Sequence, residues 1–464
     1  MNRAGRRWPR IWVLVAVVVA LGGLFRVGRA WWNSRWCRLV LAECRKEIAE
    51  GRPDRATRRL RELLSRQPDW DEAAYLLGKC EMARGLTRAA TAAWSRVAPG
   101  SPFAPRAIED RMNLEIAQGR LAAAEQLGRA ALDDPRLDGS GLPLVLGLIY
   151  ARQGRRREAE QLIETTWNRL VRKGQASWER AIPLARLHIR LRLDPPPVEA
   201  IAAFLDQCSR RAPDDDRGWL GRANLAMQAR KYDEAKRLLD ACLQRRPDDV
   251  PVWRTRLDWA LATNQVEAVG EAAKHLRAED VGQARVHSLA AWLAARRGDT
   301  EAEQRALTQL VAVDPNDFIA WNRLIDLAVR NGQIDLAEAL RGREGKIEKL
   351  QARYRTLDQR NQPIRDAAEM ALLAEKLGHP FEARAFLIVA IAANPERVDL
   401  RAALTRLESA AGTGSSRGQT LADALAADLN PPPRRQLRQS FNSNVKLLDF
   451  SSTLAVNPLL WASW

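Results

Sequence analysis

Proline, glycine and alanine recur along this chain in a common phase of 34 residues. With Trp219 set as position 4 of a unit starting at 216, the next unit starts at 250 and carries Trp253 at the same position. Position 32 is proline at Pro68, Pro102, Pro213, Pro247, Pro315 and Pro395. Position 15 is glycine at Gly51, Gly85, Gly119, Gly154, Gly298, Gly332 and Gly378. Position 20 is alanine at Ala56, Ala90, Ala124, Ala159, Ala235, Ala337 and Ala383, and Trp321 gives a third tryptophan at position 4. A period of this size means stacked supersecondary units, each unable to bury its apolar face alone.

Each residue type has a mechanical reason. The large side chain at position 4 opens a first helix and fills the space between neighbouring units. Glycine at 15 ends that helix because it takes the left-handed conformation without penalty. Alanine at 20 lets two helix backbones approach closely, and proline at 32 stops the second helix.

This pattern resembles that of the tetratricopeptide repeat family, W…LG…Y…A…F…P. The segment LPLVLGLIYARQGRRREAEQLI matches it through Leu146, Gly147, Tyr150, Gly154, Ala159 and Ile163. The resemblance covers about 37 to 397 and implies an all-α protein, a right-handed α-solenoid of about ten helix pairs over 37–410. Unit starts fall near 37, 71, 105, 140, 182, 216, 250, 284, 318 and 364. Two steps are long. ETTWNRLVRKGQ extends the fourth unit, and GREGKIEKLQARYRTLDQR after 318 lengthens a helix or forms a spur. The 284 unit has decayed, with His287 in the tryptophan position and Glu303 in the alanine position. LRAALTRL (400–407) is expected to cap the stack, which an open solenoid requires.

In front of the repeats, a basic leader (1–10) precedes Ile11–Phe25, which holds no polar residue. That run is short for a spanning helix, but Trp8, Trp31 and Trp32 flank it as an interfacial belt and Arg26 and Arg29 can snorkel. The favoured reading is one transmembrane anchor over 11–32, contacting the lipid bilayer, with the N-terminus cytoplasmic and the repeat body extracytoplasmic. A cleaved signal peptide would instead place Gly28 and Ala30 at the small positions before the cut. Behind the repeats, residues 411–464 read as linker and tail: AGTGSSRG, a short helix LADALAADLN, a stiff PPPRR stop, and an apolar end that either docks as a strand-like stub or opens a further domain.

Net charge is +17 over 464 residues. Residues 1–35 hold seven arginines and no acid, and the residues after Gly412 add two net positive charges, which leaves +8 for the body. A body so mildly basic does not call for nucleic acid. The five cysteines form no framework: Cys37 and Cys44 lie seven apart on one helix, too far to bridge, and Cys44, Cys208 and Cys242 fall in small buried positions.

Catalysis needs convergent groups, and the sequence offers none. Its four histidines (188, 275, 287, 379) are scattered, without metal-ligand spacing. GSSRG (414–418) matches a nucleophile elbow in letters only, and GREGK lacks the residues of a phosphate loop. The chain is therefore read as non-enzymatic, with no cofactor and no metal.

The family resemblance implies a groove lined by positions 2, 5, 9, 12 and 13 of the first helices. Carried onto this chain it nominates Tyr75, Lys79, Asn113, Arg152, Arg186, Arg190, Asn224, Arg254, Asp258, Trp292 and Arg296. Several arginines among a few aromatics suit an extended, partly acidic peptide, because a guanidinium forks a carboxylate. The family's chaperone-tail clamp is absent, since Glu109 and Leu220 stand where it needs lysine. The function expected is a membrane-anchored scaffold or adaptor that binds a protein or peptide partner within a membrane or envelope complex. The alternative is binding of an anionic polymer, nucleic acid or acidic glycan, by an arginine-rich face.

Overall fold

The computed structural model describes residues 36–137, 141–412 and 419–429. The leader, the expected anchor 11–32, the linker 413–418 and the tail beyond 429 lie outside them. None of the described helices is long and apolar enough to cross a membrane. Contacts divide the chain into two compact units, Met1–Gln118 with Ala123–Leu142, and Gly119–Ala122 with Pro143–Trp464.

Ten helix pairs follow one another among the described residues. They are α1 (36–49) with α2 (Pro53–Arg66), α3 (Asp71–Ala83) with α4 (Thr87–Trp94), and α5 (Ala104–Ala117) with α6 (Leu121–Leu132). Next come α7 (Leu142–Arg152) with α8 (Arg156–Arg172), α9 (Trp178–Leu193) with α10 (Val198–Arg211), and α11 (Asp216–Gln228) with α12 (Tyr232–Arg245). In the seventh pair, α13 (Val250–Ala262) is followed by α14 (Val266–His275) and a short α15 (Ala278–Val281). The last three are α16 (Gln283–Arg297) with α17 (Thr300–Val313), α18 (Phe318–Arg330) with α19 (Ile334–Arg360), and α20 (Ala367–Lys376) with α21 (Pro380–Ala393). Then come α22 (Val398–Gly412), where a cap was expected, and α23 (Leu421–Leu429). The described residues contain no strand, only an isolated antiparallel bridge between Arg277 and Thr420.

The phased residues do what their chemistry dictates. All seven position-20 alanines are fully buried. In the decayed unit Glu303 takes that position, is also buried, and is held by Arg323 through bonds of 2.6 and 3.1 Å. The position-15 glycines have φ of +69° to +78°; where glycine is missing, Arg230 and Asn264 adopt the same left-handed geometry at +57° and +60°. Proline 32 has a further role. The indole N–H of Trp219, Trp253 and Trp321 donates to the carbonyl of Pro213, Pro247 and Pro315, at 2.8, 2.6 and 2.9 Å. The same link recurs in α22, where Arg401 donates to Pro395. Each tryptophan therefore ties its own helix to the turn that ends the unit before. Asp215, Asp249 and Asp317 cap the helices that follow with their side chains.

One expectation needs correction. In an open stack each pair touches only its neighbours, but within the second unit α9 packs on α21, linking the fifth pair to the tenth. Phe381 meets Trp167 and His188 edge-on, with ring centroids 5.8 and 5.1 Å apart. Glu382, fully buried, accepts from Arg192 at 3.1 Å and from the Tyr354 hydroxyl. The long insertion explains this closure. It forms no spur but extends α19 to 27 residues, and its added turns bury Ile347, Tyr354 and Leu357. All five cysteines are free and buried, as expected.

Candidate functional site

A pocket of about 410 Å³ in the second unit gathers side chains from three helices. Gly154 turns the chain into α8, whose first turn brings Arg155, Arg157 and Glu158; α11 brings Asn224 and α13 brings Arg254, Thr255 and Asp258. Arg155 is enclosed. Its guanidinium lies 4.4 Å from the Tyr150 ring centroid and bonds Gln153 at 3.1 Å and Glu158 at 3.3 Å. Arg157 reaches Asp258 at 3.4 Å, and Arg285 holds the other carboxylate oxygen of that residue. The Thr255 hydroxyl lies 3.0 Å from Asn224 Oδ1.

Arg254 stands apart. Its Nε and Nη1 are buried and have no hydrogen-bond partner among the described residues. Burial pushes its pKa down, Glu158 and Asp280 pull it back up, and Arg157 and Arg155 add to the lowering. A buried donor left unmade costs about 1–3 kcal/mol, so a ligand that supplies its acceptor gains that energy. A planar carboxylate is the natural complement of a guanidinium fork.

Of the eleven residues nominated from sequence, Asn224, Arg254 and Asp258 meet here. Arg152 is exposed over the Phe204 ring, 6.0 Å from its centroid. Arg186 is bonded to Asn361, and Arg190 is exposed. Trp292 lies under the Arg296 guanidinium at 3.5 Å, and Arg296 also bonds Asn264. The remaining three belong to the first unit. Tyr75 stacks on Phe103 at 5.8 Å; burial, together with Asp110, pushes its hydroxyl up to about 12. Lys79 lies 3.6 Å from Asp110, and Asn113 is exposed.

The residues that sequence reasoning overlooked are Arg155, Arg157 and Glu158, which open a second helix rather than line a first one. The run of three arginines directly after the turn glycine was the available signal. A larger hollow of about 520 Å³ in the first unit is framed by turn residues such as Asp69, Trp70 and Phe103. None of its side chains carries an orphaned buried polar atom, so it makes the weaker site. Among the described residues no three His, Cys, Asp or Glu side chains converge to hold a metal ion.

Two family models described as tetratricopeptide repeat match the chain, one over 197–258 and 226–293, the other over 41–105 and 288–342. Among solved structures, a Pseudomonas aeruginosa protein described as pilF is 17% identical, over 49% of this chain and 97% of that one, with a TM-score of 0.26. A tetratricopeptide repeat protein from Parabacteroides merdae is 14% identical, over 63% of this chain and 98% of that one, at 0.25. The TPR domain of P58(IPK) is 14% identical, over 82% and 99%, at 0.22. No curated protein matches.

Proposed function

We propose that this chain, which tetratricopeptide repeat models match over 41–105 and 197–342, is a tetratricopeptide repeat protein acting as a non-enzymatic scaffold which grips an acidic peptide of a protein partner. Tetratricopeptide repeat proteins generally mediate protein–protein contacts, so the open question is what this one holds. The carrying observation is the unpartnered guanidinium of Arg254 in its pocket. Glu158, Asp258 and Glu160 stand among the pocket's arginines. Such a mixed wall fits one carboxylate placed between them and repels a continuous polyanion, which disfavours nucleic acid or an acidic glycan.

The reading places the scaffold at a membrane. Its support is in the sequence, where the apolar run Ile11–Phe25 sits between Trp8 and the Trp31–Trp32 pair. In this arrangement the leader is cytoplasmic and the repeats extracytoplasmic. Alkaline extraction of membranes should leave the full-length chain in the pellet; release into the supernatant removes the anchor from the reading.

A fluorescent peptide with an acidic, free carboxyl end tests the pocket. Arg254→Gln should weaken its binding by about tenfold or more, the worth of a hydrogen bond to a charged group. Equal affinity for the two proteins, with unchanged far-UV circular dichroism, overturns the assignment.

A further inference from the structure

The seventh helix pair is incomplete, and a helix from beyond the repeats completes it. Its second helix, α14, has 10 residues where α12 and α17, the second helices on either side, have 14. The chain leaves α14 through Leu276 and Arg277 in extended conformation and bends at Gly282, φ +82°. What α14 fails to cover is covered by α23, which packs on α14 and α16. Leu421 and Leu425, one turn apart, are buried in the same apolar core as Val269, Ala272, Leu276 and Val286.

The docking is specific at both ends. Before the helix, the backbone pairs with the extended stretch: Ala278 N–H donates to the Gln419 carbonyl at 3.1 Å, and Leu421 N–H to the Leu276 carbonyl at 2.9 Å. Thr420 caps the helix by accepting from the Asp423 N–H at 3.1 Å. In the last turn, His287 Nδ1 donates to Asp428 Oδ2 at 2.7 Å. His287 occupies the position where other units place tryptophan, so the decayed residue of the repeat is the one that reads the acid.

We infer that the slot between α14 and α16 is a docking site for a short amphipathic helix of a partner protein, and that Gln419–Leu429 is its exchangeable resident. The required pattern is the one this segment displays: a hydroxyl cap, leucines four apart, and an acid three residues after the second leucine. Two features make the resident exchangeable. A helix of nine residues does not hold its shape alone in water, so α23 exists only while docked. It follows α22 after a stretch whose sequence is TGSSRG, so the covalent tether holds it at a high local concentration beside the slot. A partner carrying the same pattern uses the same edge pairing and the same apolar slot. This site is separate from the Arg254 pocket, and neither inference depends on the other.

A fluorescent synthetic peptide spanning residues 418–430 is the probe, titrated into the full chain and into the full chain carrying Leu421→Asp and Leu425→Asp. The peptide should saturate the double variant at a concentration at least about tenfold below that needed for the wild chain, since the variant has lost its tethered competitor. A peptide bearing the same two substitutions should not bind. Equal binding to both proteins, or to neither, overturns the inference. Hydrogen exchange on the wild chain is the arm that needs no variant: amides of 421–429 should exchange well before those of α16, whereas equal protection makes α23 an integral part of the core and overturns it too. A concentration-dependent dimer abolished by the two substitutions would assign the slot to a second copy of the chain instead of a foreign partner.

Discussion

Nδ1 of His188 on α9 lies 2.7 Å from Oε1 of Glu382 on α21, and that contact locks the fifth helix pair to the tenth. Two side chains 194 positions apart thereby join helices that an open stack would keep apart. Burial alone would lower the His188 pKa, but hydrogen bonds to Glu164 and Glu382 outweigh it and raise it from 6.5 to about 9. Burial likewise opposes the Glu382 charge, yet His188 and Arg192 hold its carboxyl down at about 2.

Stability should be greatest near pH 6.5 and fall on both sides. His188 binds its proton more tightly folded than unfolded, so its contribution is complete below 6.5 and is lost as pH rises through about 9. His379 has the opposite sign. Burial lowers it to about 4, so the folded state favours the neutral ring and stability is lost as pH falls from 6.5 toward 4. Thermal melts from pH 4 to 9 test this: His379→Gln should flatten the acid limb alone and His188→Gln the alkaline limb alone. Glu382→Gln should destabilise by about 3–5 kcal/mol, since it takes the buried counter-ion from Arg192 and one of two carboxylates from His188.

Trp321→Phe should cost about 1–3 kcal/mol in urea unfolding. The ring is buried, so losing its N–H strands the Pro315 carbonyl without the partner it now has at 2.9 Å. An unchanged midpoint would show that the link between units is incidental.

Arg230→Gly should stabilise the protein by about 1 kcal/mol, because Arg230 is exposed and holds a left-handed backbone that glycine adopts freely. Asn264→Gly should gain less, since asparagine tolerates that region. Paired melting curves give the order; a loss at Arg230 contradicts it.

Two glycines inside helices should respond oppositely to alanine. A Cβ at Gly78 would sit 2.2 Å from Trp94 Nε1, so Gly78→Ala should destabilise by about 1–3 kcal/mol. At Gly342 in α19 nothing lies within 4 Å, and Gly342→Ala should stabilise by about 0.5–1 kcal/mol. Denaturant midpoints of the two variants on opposite sides of the parent decide the point.

The repeat was legible because glycine, alanine and proline act through backbone geometry that neighbouring residues cannot override. Gly332 must turn left-handed and Ala337 must be small wherever the rest of the chain goes. The site was legible only in part. Asn224, Arg254 and Asp258 followed from repeat position, but Arg157 meets Asp258 only because helices 101 positions apart in sequence come together. His188 and His287 are scattered histidines in the sequence, and nothing within one repeat announces that their carboxylates lie at Glu382 and Asp428.

By itself, then, the sequence determined the number of helix pairs, the residues that end each helix, the small side chains where backbones meet, and the free state of the thiols. Local rules suffice for these, since each concerns residues within one unit or its immediate neighbour. Only the tertiary structure decided that α9 meets α21, that α19 is lengthened to seal the contact, that α23 replaces the missing turns of α14, and that Arg254 is left with open donors. Those outcomes depend on small rotations between successive pairs summed over many units, and no single unit's residues encode the sum.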